Sequence, residues 1–126
     1  MTLESVEFFN TVVFLLMLQI QMELLLDGNY RCDKVFFERI DETLLRYIVF
    51  CKEPVPVQRS AWTPVVIEIF KSLSRLLDST MKLDVPIDLG NTFRSSLVIV
   101  SLNNANTSEA AKSFVEKALG RLKLFS

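Results

Sequence analysis

Apolar residues recur along this chain at spacings of three and four, the period of helices rather than strands. The first run, Leu3 to Leu26, is rich in Leu, Met and Gln and free of Gly and Pro. It closes at Asp27-Gly28-Asn29, where Gly28 can take the left-handed position that ends a helix. Asp33 can cap a second helix reaching about Phe50, with an apolar stripe of Phe36/Phe37, Ile40, Leu44, Tyr47/Ile48 and Cys51. The Glu53-Pro54-Val55-Pro56 segment stops it. Ser60 then offers an N-cap and Pro64 falls in the first turn of a third helix that continues through Val65, Val66, Ile69, Phe70, Leu73, Leu76 and Leu77. Met81 to Asn91, with Pro86 and Gly90, reads as the longest connector. Thr92 opens a shorter helix from Phe93 to Leu102, although its Leu97-Val98-Ile99-Val100 run also suits a buried strand. Asn103 and Asn104 break it, and Asn106 with Glu109 has the spacing of a capping box for a last helix reaching Leu124. Gly120 lies inside that helix and weakens it slightly without stopping it.

About five helices joined mostly by short turns, with no alternation of strand and helix, predict an all-α fold. Antiparallel pairs with apolar faces suit either an irregular HEAT/armadillo-like stack or a compact helical bundle. No internal repeat of fixed period is visible. The 126 residues are enough for one domain, 1–126, around one core.

The first helix changes this picture most. Its residues are apolar nearly all round, Phe8, Phe9, Val12 and Leu16 among them, whereas a surface helix normally shows one polar face. Such a helix belongs at the centre of a bundle or under another subunit. Phe8, Phe9, Val12 and Leu16 are therefore candidate partner-interface residues, for a protein partner or a second copy of the chain. Trp62 joins them as a candidate anchor, because large aromatic rings dominate binding hot spots. A lone tryptophan in a small domain is nevertheless more often core. Asn10, Thr11, Gln19, Gln21 and Glu23 interrupt the apolar run and argue against a membrane span. Glu4 and Glu7 precede it and the first basic residue is Arg31, the reverse of a signal peptide. The expectation is an intracellular protein.

Charge and candidate chemistry narrow the classes further. Fourteen Lys and Arg against fifteen Asp and Glu leave a net charge of −1, so no overall field points to nucleic acid or acidic lipid. The chain has no histidine, which removes imidazole as base, proton shuttle or metal ligand. Cys32 and Cys51 cannot make a four-ligand zinc site, and each sits among apolar neighbours as a small buried hydrophobe would. Asp27-Gly-Asn29-Tyr-Arg31-Cys-Asp33 has part of a calcium-loop spacing, but Arg31 occupies the fifth position and repels the ion. Asp84 and Asp88 have no partner base, and no serine sits in a recognisable catalytic pattern with lysine. The expectation is no enzyme and no cofactor. Asn106-Thr107-Ser108 matches a glycosylation sequon without a visible secretory context. On the last helix Lys117 and Arg121 share a face and are candidates for a weak phosphate contact, although such charges are usually a solvated face. Any nucleic-acid contact would be weak or indirect.

Several short runs resemble one family. Gly28-Asn29-x-Arg31-x-Asp33-x-x-x-Phe37-Glu38-Arg39 is similar to a stretch of the animal meiosis-specific MEI-four proteins, accessory factors of programmed DNA double-strand-break formation. Ile48-x-Phe50-x-Lys52-x-Pro54 followed by Trp62-Thr63 and Val66, and then Leu102-Asn103-Asn104 with Phe114-Val115, Leu119 and Leu122, resemble later stretches in the same order. The resemblance implies a non-enzymatic HEAT-like domain. It would act in the nucleus with a PH-like partner, helping to recruit the break-forming nuclease core to chromosome axes. The N-terminal segment through which such proteins grip that partner is not recognisable in this chain. Two other expectations stand beside it: a helical-repeat adaptor in DNA-damage signalling, resembling the C-terminal half of the ATR-interacting protein, and a Bcl-2-like membrane-associated bundle. The Asn-Trp-Gly-Arg signature of the latter is missing.

Overall fold

A computed structural model describes residues 2–27, 33–53, 56–83 and 89–124, with side chains for all of these except 33–34, 79–83 and 121–124. Among them the chain forms an all-α compact bundle of five helices: α1 (Leu3–Leu26), α2 (Asp33–Lys52), α3 (Pro56–Leu83), α4 (Gly90–Ser101) and α5 (Ala105–Leu124). No strand occurs among the described residues.

The helices alternate between two layers. α3 packs between α1 and α5, while α2 packs on α3 and α4, and α4 on α5. Odd helices thus lie side by side in one layer and even helices in the other, the alternation produced by stacking helix pairs. α1 touches α2 only lightly and makes no described contact with α4 or α5. The most apolar helix is therefore at the edge of its layer, so of its two expected placements, at the centre of the bundle or under another subunit, it does not take the first. The centre belongs to α3, whose Val65, Val66, Ile69, Phe70, Leu73, Leu76 and Leu77 are all buried. Because α3 has neighbours on three sides, its apolar residues cover much of its circumference.

α2 buries Phe36, Phe37, Ile40, Leu44, Tyr47 and Ile48, the stripe expected from spacing, with Cys51 half-buried at its end. α5 buries Thr107, Ala111, Phe114, Val115 and Ala118. In α4 the buried stripe is Thr92, Ser95, Ser96 and Ile99, while Leu97 and Val98 face outward. The Leu97–Val100 run is thus helical, and it is small polar residues that let α4 approach its neighbours. Ser96 donates back to the Thr92 carbonyl at 2.6 Å, and Thr92 donates across to the Asp41 carboxylate on α2.

Several helix starts differ from expectation, α4 among them, which begins at Gly90 rather than at Thr92. α3 begins at Pro56, one turn before Ser60, because proline at the first helical position loses no bond and already has helical φ. Pro64 consequently lies inside α3. Both Pro64 and Ser60, whose carbonyl loses its donor, are exposed, so water can satisfy the gap. α5 begins at Ala105, and the Asn106 capping box is not made. Asn103 takes a left-handed φ of 61°, which asparagine tolerates, and the Asn104 carbonyl accepts the Ser108 amide at 2.7 Å. Gly28 and Asn29, expected to close α1, lie outside the described residues, as do Cys32, Pro54, Asp84, Pro86 and Asp88.

Tyr47 ties three helices together. Its buried hydroxyl receives Asn104 Nδ2–H at 3.1 Å, lies 3.1 Å from Thr63 Oγ1 and donates to Thr107 Oγ1 at 3.4 Å. Burial pushes the phenol above its ordinary value of 10.0, against the lowering effect of the Thr107 and Thr63 hydrogen bonds. The folded chain therefore holds this proton to higher pH than the unfolded chain. Its contribution is complete below about pH 10 and is lost as pH rises through the folded value. Tyr47→Phe should cost about 1–3 kcal/mol near neutrality by orphaning its partners. The same variant should also flatten the decline of stability above pH 10, as measured by urea unfolding across pH.

Gly120 is exposed within α5, and a Cβ built on it would meet nothing within 4 Å. Gly120→Ala should accordingly stabilise the domain by about 0.5–1 kcal/mol, read as a raised thermal midpoint.

Candidate interaction surface on the first helix

α1 starts cleanly. Thr2 is extended and its hydroxyl accepts the Ser5 amide at 3.1 Å, while Glu4 in the first turn complements the positive helix end. One side of the helix is fastened to the bundle. Thr11, Leu18, Met22 and Leu25 are buried, with Phe14 and Leu15 packed beside them. The buried Thr11 hydroxyl donates back to the Phe8 carbonyl at 2.8 Å.

Trp62 supplies the main clasp between α1 and α3. Only 7% exposed, it donates its indole N–H to Glu7 Oε2 at 2.7 Å and receives the Phe14 ring edge-on, with centroids 5.7 Å apart. Of its two expected roles, core and partner anchor, the ring takes the first, occupied by α1. Both its polar and its aromatic part have a use inside the chain, the indole N–H on a carboxylate and the ring in a T-shaped contact with Phe14.

The other side of α1 is open. Phe8 is 69% exposed, Phe9 64%, Leu16 55% and Ile20 58%, and Val12 and Val13 are also exposed. Phe8, Phe9, Val12 and Leu16 thus lie at the surface together. Sequence reasoning missed the order within this face. Val6, Phe9, Val13, Leu16 and Ile20 follow steps of three, four, three and four, all exposed, on the side of the helix turned away from Leu18, Met22 and Leu25. The spacing is that of an interhelical seam. It was present in the sequence but hidden, because the opposite face is equally apolar and the pattern carries no contrast.

Beside this face, the light contact between α1 and α2 leaves an apolar groove of about 260 Å³. Phe14, Leu18, Phe36 and Ile40 line it with Met17, Gln21, Val35 and Arg39. The Arg39 guanidinium lies against the Met17 sulfur at 3.9 Å, and exposed Val35 continues the apolar surface across to α2.

The remaining candidates come apart. Lys117 is ion-paired with Asp78 of α3 at 2.8 Å, so its ammonium already has an anion. The pair is exposed and adds little stability, about 0.2–1 kcal/mol for pairs of this kind. The side chain of Arg121, the expected companion of Lys117, lies outside the described residues. No cluster of three acidic or cysteine side chains that could hold a metal occurs among the described residues. Cys51 is a free thiol, half-buried.

Comparison of the chain with protein-family models, with curated proteins and with solved structures finds no match.

Proposed function

We propose that this chain is a non-enzymatic helical interaction domain, a scaffold that presents the outward face of α1 to another protein surface. One observation carries it: the most apolar helix is placed at the edge of the bundle with its seam-forming side exposed. Monomeric proteins seldom leave so large a contiguous apolar patch in water. The quoted runs around Phe37, Trp62 and Phe114 support a setting among the accessory factors of programmed meiotic double-strand-break formation, hence nuclear and chromosome-associated. The test is affinity purification from meiotic cells with the native chain and Leu16→Glu. Break-forming proteins retained by the first and lost by the second support the proposal. A set unrelated to recombination would remove the meiotic setting, and capture indifferent to Leu16→Glu would remove α1 as the contact.

A second reading has its own observation. α1 is 24 residues long and largely apolar, with only a minority of it buried, so by length and composition it could cross a membrane. Charge speaks against adhesion to an anionic bilayer, since α1 carries Glu4, Glu7, Glu23 and no Lys or Arg. Spanning would also strip Phe14 and Glu7 from Trp62. Flotation with lipid vesicles decides between the two.

A further inference from the structure

We propose that the outward face of α1 is a self-complementary seam on which a second copy of this chain packs, its α1 antiparallel to the first. This rests on the reading of α1 as a protein-contact surface and names the occupant. The two ends of the odd layer differ. α5 closes one end with a polar outer face of Asn106, Glu109, Lys112, Ser113 and Glu116, all exposed. α1 leaves the other end apolar. A helical stack needs a polar cap at each end to stay soluble, and here one end lacks it. Joining two chains at α1 gives a stack capped at both ends, and the two-fold contact closes on itself without forming fibres.

Charge and apolar exposure both fit. Val6, Phe9, Val13, Leu16 and Ile20 are all exposed, and Val12 and Met17 beside them widen the apolar surface that a second helix would cover. From Val6 to Ile20 the seam bears no charge. Its next two steps are Glu23 and Asp27, both exposed, at the negative end of the helix with no basic residue in the last turn. A parallel pair would gather four carboxylates at two negative helix ends. The antiparallel pair sets each Glu23 and Asp27 beside the positive N-terminal end of the other α1. Glu4 and Glu7 do not interfere, because they lie on the opposite side of the helix and Glu7 is held by Trp62. With Val13 at the two-fold axis, Val6 lies opposite Ile20 of the second copy and Phe9 opposite Met17. That register brings the highly exposed Phe9 ring to the groove between α1 and α2, which has room for one large side chain.

The test uses the full chain, sedimented for mass and cross-linked through cysteines placed on the seam in a Cys32→Ser, Cys51→Ser background. Expected are a species of twice the 14.5 kDa chain mass, loss of that species in Leu16→Glu with helicity retained, and disulfide formation by Val13→Cys with itself. Val6→Cys should cross-link to Ile20→Cys in a mixture and not to itself. The Cys variants keep the seam apolar, so they report even if Leu16→Glu misfolds. A monomer at every concentration, self-cross-linking of Val6→Cys, or flotation of monomers on phosphatidylcholine vesicles would each overturn the proposal. A monomer that still captures break-forming proteins through α1 leaves the interaction domain standing and removes only the dimer. A Leu16→Glu chain unchanged in both mass and capture removes both.

Discussion

Trp62→Ala should cost about 3–5 kcal/mol, the range for truncating a large buried aromatic, and most of the damage should fall on α1. The indole fills the space between α1 and α3, meets the Phe14 edge and donates to Glu7 Oε2. Removing it opens a cavity and leaves a half-buried carboxylate without its donor. α1 is otherwise held by Leu18, Met22 and Leu25 further along, with little help from α2. Hydrogen exchange should therefore speed up first in the N-terminal half of α1, while α3 and α5 keep their protection. Trp62→Phe should cost less, since it keeps an aromatic ring against Phe14 while losing the N–H donor and part of the indole volume. Uniform loss of protection across all five helices in Trp62→Ala would show that α1 is not a separable edge.

The fold was legible where one face of a helix differs from the other. In α2 and α3 the apolar stripes named the buried positions except Thr43, Trp62 and Ser72, because polar residues outline them. In α4 the legible signal pointed the wrong way: Leu97 and Val98 are the outer residues, and Ser95 and Ser96 the inner ones. Close helix approach rewards small side chains there, and hydropathy does not see that. Helix starts shifted by a residue or a turn because Pro56 and the left-handed Asn103 fix the chain before the side-chain caps at Ser60 and Asn106 can act. The candidate surface was half legible. Its residues Phe8, Phe9, Val12 and Leu16 could be named because α1 has too much apolar surface for one domain to cover. Which side faces outward depends on where Trp62 grips, and that contact joins residues 55 positions apart in the chain. No local pattern encodes it.

Phe114→Ala should cost about as much as Trp62→Ala, about 3–5 kcal/mol, yet act on the whole domain. Phe114 is fully buried and its ring meets that of Phe70 at 5.8 Å, so truncation hollows the contact between α5 and the central α3. α4 packs on α5 and α2, and α2 on α3 and α4, so loosening this joint also loosens the hold on α4 and through it on α2. Urea unfolding should remain a single transition at a lower midpoint with an unchanged slope, in contrast to the early local opening of α1 in Trp62→Ala. A loss below about 1 kcal/mol would mean that α5 is peripheral and that the layers are not coupled as described. The two variants also differ in how they respond to chain concentration. If two copies meet at α1, association stabilises the native chain by mass action and its midpoint rises with concentration. Phe114 lies on helices that do not form the seam, so Phe114→Ala should shift every midpoint down and keep that dependence. Trp62→Ala frees the helix that carries the seam and should abolish it.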